Sequence, residues 1–198
     1  MDVSRSVALE RPRGHDLSAL IKPSWLSARA ALMVAVVASF LFVACSTAVQ
    51  SATSGADAAP DFELEVFANE NYTRGELVGL SEFEGQPVVI NFWYPSCPPC
   101  RLETPDLQAT FQKHKGDVQF IGVMAMVLDT VEEGQEFIDE FGITYAVGPD
   151  TETKILIDYK ASSFPTTVFL DKNHEIVRNW AGVLTEEKLE ELVAPLLQ

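Results

Sequence analysis

The stretch Asn91-Phe92-Trp93-Tyr94-Pro95-Ser96-Cys97-Pro98-Pro99-Cys100 limits most strongly what this chain can become. The apolar run Val88 to Trp93 reads as a buried strand, and soon after it stand two cysteines separated by two residues. Where a strand turns into a helix, that spacing lets the sulfurs reach bonding distance and sets the first of them at the helix N-terminus. The partial positive charge there favours a thiolate. Lowering a thiol pKa from ~8.5 into the roughly 3.5–7.5 range of such pairs makes a cysteine reactive near neutral pH, so Cys97 is the expected nucleophile.

Two blander readings of the pair are weaker. A four-ligand zinc site needs a second pair of Cys or His at suitable spacing. The remaining cysteine is Cys45, and His15, His114 and His174 stand singly, so no metal is expected. An inert structural disulfide closing so short a loop would add little stability.

At 198 residues and 47% hydrophobic, the chain can hold one cored domain and an appendage. The appendage is N-terminal. Arg5, Arg11, Arg13, Lys22 and Arg29 precede the uncharged apolar run Ala30 to Ala44, the pattern of a segment inserted with its N-terminus inside. Ser46 to Pro60 is small and polar, and reads as a flexible tether. The expected division is therefore a signal or anchor segment at 1–45, a linker at 46–60 and a folded domain at 61–198.

Cys45 leaves two anchors open. Phe42-Val43-Ala44-Cys45 resembles a bacterial lipobox, with Phe42 where an aliphatic residue is usual, so Cys45 is a candidate lipid attachment site. The twenty residues Ala30 to Val49 are also long enough to cross ~30 Å of hydrocarbon as an uncleaved helix. Either anchor puts the domain on the extracytoplasmic side of the cell membrane, where disulfides persist.

Residues 1–45 hold 5 basic and 3 acidic side chains, leaving 9 and 26 of the totals of 14 and 29, a formal −17 for the remainder. No polybasic surface remains for nucleic acid, and none is expected as a partner. This acidity serves solubility or attraction to a basic partner.

From Asp61 strands and helices alternate. Phe62, Leu64 and Val66 alternate with Glu63 and Glu65 as in a half-exposed strand, and Leu80 to Glu84 reads as a helical turn. A helix is expected from about Pro98 to His114, with Leu107 and Phe111 inward and a kink at Pro105. Then follow a strand over Val118–Val127, a helix over Val131–Phe141, a strand over Ile143–Val147 and a helix over Thr151–Tyr159. Strands at Thr166–Leu170 and Glu175–Trp180 flank the turn 171–174, and Thr185 caps a last helix carrying Leu189, Leu192, Val193, Leu196 and Leu197.

This order, with Ala59 to Leu64, Gly85 to Trp93, Cys97-Pro98-Pro99-Cys100 with Pro105 beyond it, and Phe164-Pro165-Thr166-Thr167 before a strand, resembles the thioredoxin superfamily. Within it, the chain is similar to the membrane-tethered TlpA-like branch that includes the ResA and CcmG types. The resemblance covers about Ala59 to Leu197. It implies a thioredoxin-like α/β fold: a central mixed sheet flanked by helices, with an N-terminal strand extension and a helix-bearing insertion at about 129–162.

The resemblance also implies roles. Cys97 corresponds to the exposed attacking cysteine and Cys100 to the more buried resolving one, so the redox group is the Cys97–Cys100 disulfide and no further cofactor is expected. Pro165 corresponds to the cis-proline facing the cysteines, with the Phe164 backbone offered to an extended substrate. Pro98 and Pro99 shape the loop, and Trp93 either shields the site or packs in the core. Asn91 replaces the buried Asp of cytoplasmic thioredoxins and cannot act as an acid or base. Glu103, one turn past Cys100, is either a proton acceptor for it or a solvated or structural glutamate.

The implied activity is thiol-disulfide exchange with protein substrates, as a reductant fed by a membrane redox donor. Apocytochrome c thiols before haem attachment, or copper-site cysteines, are the implied clients. The direction of transfer is not written in the motif, since related folds span ~−270 to ~−120 mV. A peroxiredoxin-type peroxidase would need Thr or Ser three residues before its cysteine, where Tyr94 stands. A copper carrier, the alternative reading, would use CxxxC and a later His; here the spacing is CxxC, and His174 lies in an apparent turn.

Overall fold

Val88–Trp93 (β3) is buried at every position and runs down the middle of a five-stranded sheet. The computed structural model describes residues 57–198, so Cys45, the apolar run and the sequence reading of 1–56 lie outside the described residues. Before β3, Glu63–Glu65 (β1) and Leu77–Gly79 (β2) form a small antiparallel pair. After it come Pro98–Lys113 (α1), Gln119–Ala125 (β4), Val131–Phe141 (α2), Ala146–Asp150 (β5), Lys154–Asp158 (α3), Thr166–Leu170 (β6), Ile176–Ala181 (β7) and Glu186–Val193 (α4).

The sheet order is β5-β4-β3-β6-β7, parallel from β3 to β5 and antiparallel from β3 to β7. It is the mixed sheet of a thioredoxin-like fold. Alternation along β3 splits the core into two layers. Val89 and Trp93 pack with Leu107 and Phe111 of α1, Phe137 of α2 and Leu189 of α4. Val88, Ile90 and Phe92 pack on the other face with Phe62, Leu64, Val78 and Tyr159.

Several boundaries differ from the sequence reading. The strand expected at Ile143–Val147 runs instead from Ala146 to Asp150, through Gly148 and Pro149. β5 is an edge strand, where a proline's missing donor is tolerated, and Gly148 is needed because a Cβ there would stand 2.5 Å from the Glu65 carbonyl oxygen. The next helix begins only at Lys154: Thr153 has φ 59°, and the Asp150 carboxylate takes the N–H groups of Lys154 and Leu156 at 3.0 and 2.8 Å. The last helix stops at Val193, and Pro195 leads it into a 3-10 turn that buries Leu196 and leaves Leu197 exposed. The segment 129–162 carries two helices and also the edge strand β5.

Pairing with the sheet starts at Asp57, before the expected domain start. Ile176 N–H donates to the Asp57 carbonyl at 3.0 Å and Ala59 N–H to the His174 carbonyl at 2.9 Å. Among the described residues no helix is long and apolar enough to cross a membrane.

Candidate active site

The C-terminal end of β3 hands the chain directly to α1. Cys97 is the N-cap residue, with extended backbone, and Pro98 and Pro99 fill the first two helical positions. Neither proline has an N–H, so the first main-chain donor of the helix is that of Cys100, which donates to the Cys97 sulfur at 3.2 Å. That bond and the helix end both favour negative charge on Cys97. A disulfide joins Cys97 to Cys100.

Cys97 does not match the exposed cysteine expected. It is 1% exposed, against 0% for Cys100. In the disulfide its sulfur turns back over the helix start, while Ser96 and Pro98 on either side are exposed. Tyr94 and Phe164, edge to face at 5.2 Å, pack against the same cluster.

The sheet explains how Phe164 comes here. β6 runs antiparallel to β3 with Thr166 opposite Phe92, so Phe164 and Pro165 arrive at the end of the sheet from which the cysteines depart. The Phe164–Pro165 peptide is cis, and the Pro165 carbonyl accepts from Gly182 N–H at 2.9 Å. Trp93 is buried with its ring 4.2 Å from that of Phe137, a core position. His174 lies in the β6–β7 turn at the opposite end of the sheet, its Nε2 donating to the Phe83 carbonyl at 3.1 Å, so the fold does not bring it to the cysteines.

Glu103 is fully buried, which removes the solvated alternative. Its Oε1 accepts from Asn91 Nδ2 at 2.7 Å and its Oε2 from Leu184 N–H at 2.9 Å, while the same Asn91 amide donates to Thr167 Oγ1 at 3.0 Å. Burial without a cation outweighs these bonds and raises the carboxyl pKa to about 7. Asn91, which cannot itself carry a proton, anchors the Glu103 carboxyl. The sequence named Thr167 only as part of the Phe164–Thr167 motif and did not name Leu184, and it linked neither to Glu103, because they lie 64 and 81 residues from it.

Arg101 lies over the rings of Phe137 and Phe141, at 5.3 and 5.0 Å, and pairs with Glu140, joining α1 to α2. Thr104 Oγ1 donates to the Cys100 carbonyl at 2.8 Å just before Pro105, which has no N–H for the helix ladder.

Residues 56–179 match the AhpC/TSA family. The chain is 36% identical over 135 residues to the thiol-disulfide oxidoreductase ResA of Oceanobacillus iheyensis, covering 68% of each chain. It is 28% identical to ResA of Halalkalibacterium halodurans, over 87% of this chain and 94% of that one. A Chlorobium tepidum crystal structure, of a protein assigned as the thiol:disulfide interchange protein DsbE, superposes with TM-score 0.63 at 25% identity, over 72% of this chain and 96% of that one.

Proposed function

We propose, from the premise that this chain belongs to the AhpC/TSA family and is a thiol-disulfide oxidoreductase of the ResA and DsbE type, that it reduces protein disulfides on the extracytoplasmic side of a membrane. The observation that carries this reading is the Cys97 sulfur at the start of α1, with the Cys100 N–H aimed at it.

In the reduced protein the Cys97 thiolate attacks one sulfur of a client disulfide. That bond breaks, a mixed disulfide forms, and one client sulfur leaves as thiolate and is protonated. Cys100, as thiolate, then attacks the Cys97 sulfur, forms the intramolecular disulfide and releases the second client thiolate. The client gains two electrons and two protons, and a membrane redox donor returns the electrons to the CxxC pair. Glu103, buried one turn past Cys100 with a pKa near 7, takes the Cys100 proton for the resolving step. Phe164 and Pro165 present backbone to an extended client segment in the manner of a strand edge.

Location rests on the basic leader and apolar run. The likeness to the H. halodurans protein covers 87% of this chain, so it extends into the residues before 57, which make up 56 of 198. Apocytochrome c thiols are the client class that the ResA and CcmG resemblance favours.

The test is trapping in the full-length protein. Cys100→Ser should accumulate mixed disulfides with client proteins, and accumulation through Cys97→Ser instead would reverse the assignment. A reductant's potential should lie near or below about −270 mV, whereas one near −120 mV would reverse the direction of transfer and leave the exchange chemistry standing.

A further inference from the structure

A carboxylate just before the start of α2 holds the residue next to the nucleophile. Asp129 Oδ1 accepts from Ser96 N–H at 3.1 Å and Asp129 Oδ2 from Ser96 Oγ–H at 2.9 Å, a two-point grip across 33 residues of sequence. Ser96 is otherwise an exposed loop residue between β3 and α1. Asp129 stands just before Thr130, whose hydroxyl accepts from Glu133 N–H as the cap of α2, so the carboxylate sits on a fixed helix start. The loop before Cys97 is thus fastened to the start of α2 by a group that brings a negative charge to the residue preceding Cys97.

We propose that Asp129 is a positioning residue for Cys97: it fixes the Ser96 backbone so that the Cys97 sulfur meets the Cys100 N–H, and its charge opposes the thiolate that this N–H and the helix end favour. The proposal rests on Cys97 being the attacking thiolate. Opposing the thiolate raises the free energy of the reduced pair relative to its disulfide, which makes the CxxC pair a stronger reductant.

The surroundings do not cancel this charge. A cleft of about 220 Å³ opens beside Ser96, walled by Pro95, Asp129 and Arg101 with Glu133, Glu136 and Glu140 of α2. Arg101 is the one cation among the described residues lining it, and it is paired with Glu140 and stacked on Phe137 and Phe141. From α1 itself Glu103 turns away, into its bonds with Asn91 and Leu184, and the Phe164–Pro165 segment brings no charged side chain. Arg101 also donates to the Pro95 carbonyl of this loop, at 3.4 Å, but the four lining carboxylates outnumber it, and Asp129 is the one of them bonded to the loop.

Thiolate absorbance of the reduced full-length protein, followed against pH, tests this together with the redox potential. Asp129→Asn keeps an acceptor for Ser96 and removes the charge. Its Cys97 titration should move to lower pH by roughly half a unit or more, with a less reducing potential. Asp129→Glu, which keeps the charge, and Ser96→Ala, which keeps both the charge and the backbone N–H, should titrate close to wild type. A wild-type titration in Asp129→Asn, or a shift in Ser96→Ala equal to that in Asp129→Asn, would overturn the proposal. If those variants and the wild type all fail to form mixed disulfides through Cys97, the proposed function fails instead.

Discussion

Asn91 Nδ2 donates to Glu103 Oε1 at 2.7 Å, tying the strand that delivers the cysteines to the helix that begins with them. Leu184 N–H holds the other carboxylate oxygen, so the group is hydrogen-bonded at both oxygens and still lacks a cation. Desolvation dominates, and the carboxyl keeps its proton up to about pH 7.

The first prediction concerns stability. Glu103 has a folded pKa of about 7 against an ordinary 4.5, so between these values the native state binds a proton that the unfolded chain has lost. Stability should therefore fall as pH rises from about 4.5 to 7, and the full cost above pH 7 is about 3 kcal/mol. Urea unfolding of the oxidised protein across pH 4.5–8 should show this decline in wild type and not in Glu103→Gln. A difference between the two that stays flat with pH would mean that Glu103 is ionised throughout.

Catalysis should show the same group. If Glu103 accepts the Cys100 proton, resolution of a preformed mixed disulfide should speed up through pH 7 in wild type. In Glu103→Gln it should slow by about 10²-fold or more at pH 7–8, the lower range of general-base effects, and lose that inflection. Attack by Cys97 on a small disulfide should change far less. Stopped-flow tryptophan fluorescence separates the two steps, and equal slowing of both would assign Glu103 a role in folding geometry only.

Gly148 gives a prediction about packing. A Cβ there would lie 2.5 Å from the Glu65 carbonyl oxygen, which is backbone and cannot rotate aside. Gly148→Ala should push β1 from β5 and cost about 1–3 kcal/mol of stability, read from the denaturation midpoint. A variant as stable as wild type would mean that β1 shifts freely.

What the sequence conveyed, and what it withheld, follows from the range of each interaction. β3 and the start of α1 were legible because a run apolar at five of six positions and an N-cap cysteine are local signals, as were Thr185 and the Glu186–Glu187 turn of α4. β5 was misplaced because Gly148, Pro149 and Asp150 are turn residues by local preference. Only their place at a sheet edge, against the β1 backbone, makes them a strand. β2 is three residues long, too short to show a period. In the site, the cysteines were readable from spacing and Pro165 through the resemblance its motif carries, while the amide clamp on Glu103 and the Asp129 grip on Ser96 join residues 12 to 81 positions apart. A one-dimensional pattern does not encode such contacts.

The anchor makes the last prediction, since it decides which clients the disulfide meets. If Cys45 carries lipid, the chain is cut before it, residues 1–44 are lost, and Cys45→Ser blocks processing or releases the protein. If Ala30 to Val49 is an uncleaved helix, Cys45→Ser changes nothing, because one thiol contributes little to the insertion of twenty largely apolar residues. Intact mass of the membrane-extracted protein separates the two, and a soluble, unlipidated wild-type product would count against both. In either case the chain is fixed to the sheet from Asp57, through the Ile176 N–H bond to its carbonyl. Residues 46–56 therefore span at most about 40 Å even when fully extended. A domain held that close should act on clients that are membrane-bound or processed at the membrane surface. Crosslinking through Cys100→Ser in cells should recover such clients, and recovery of only freely diffusing soluble proteins would rule out the anchored reading.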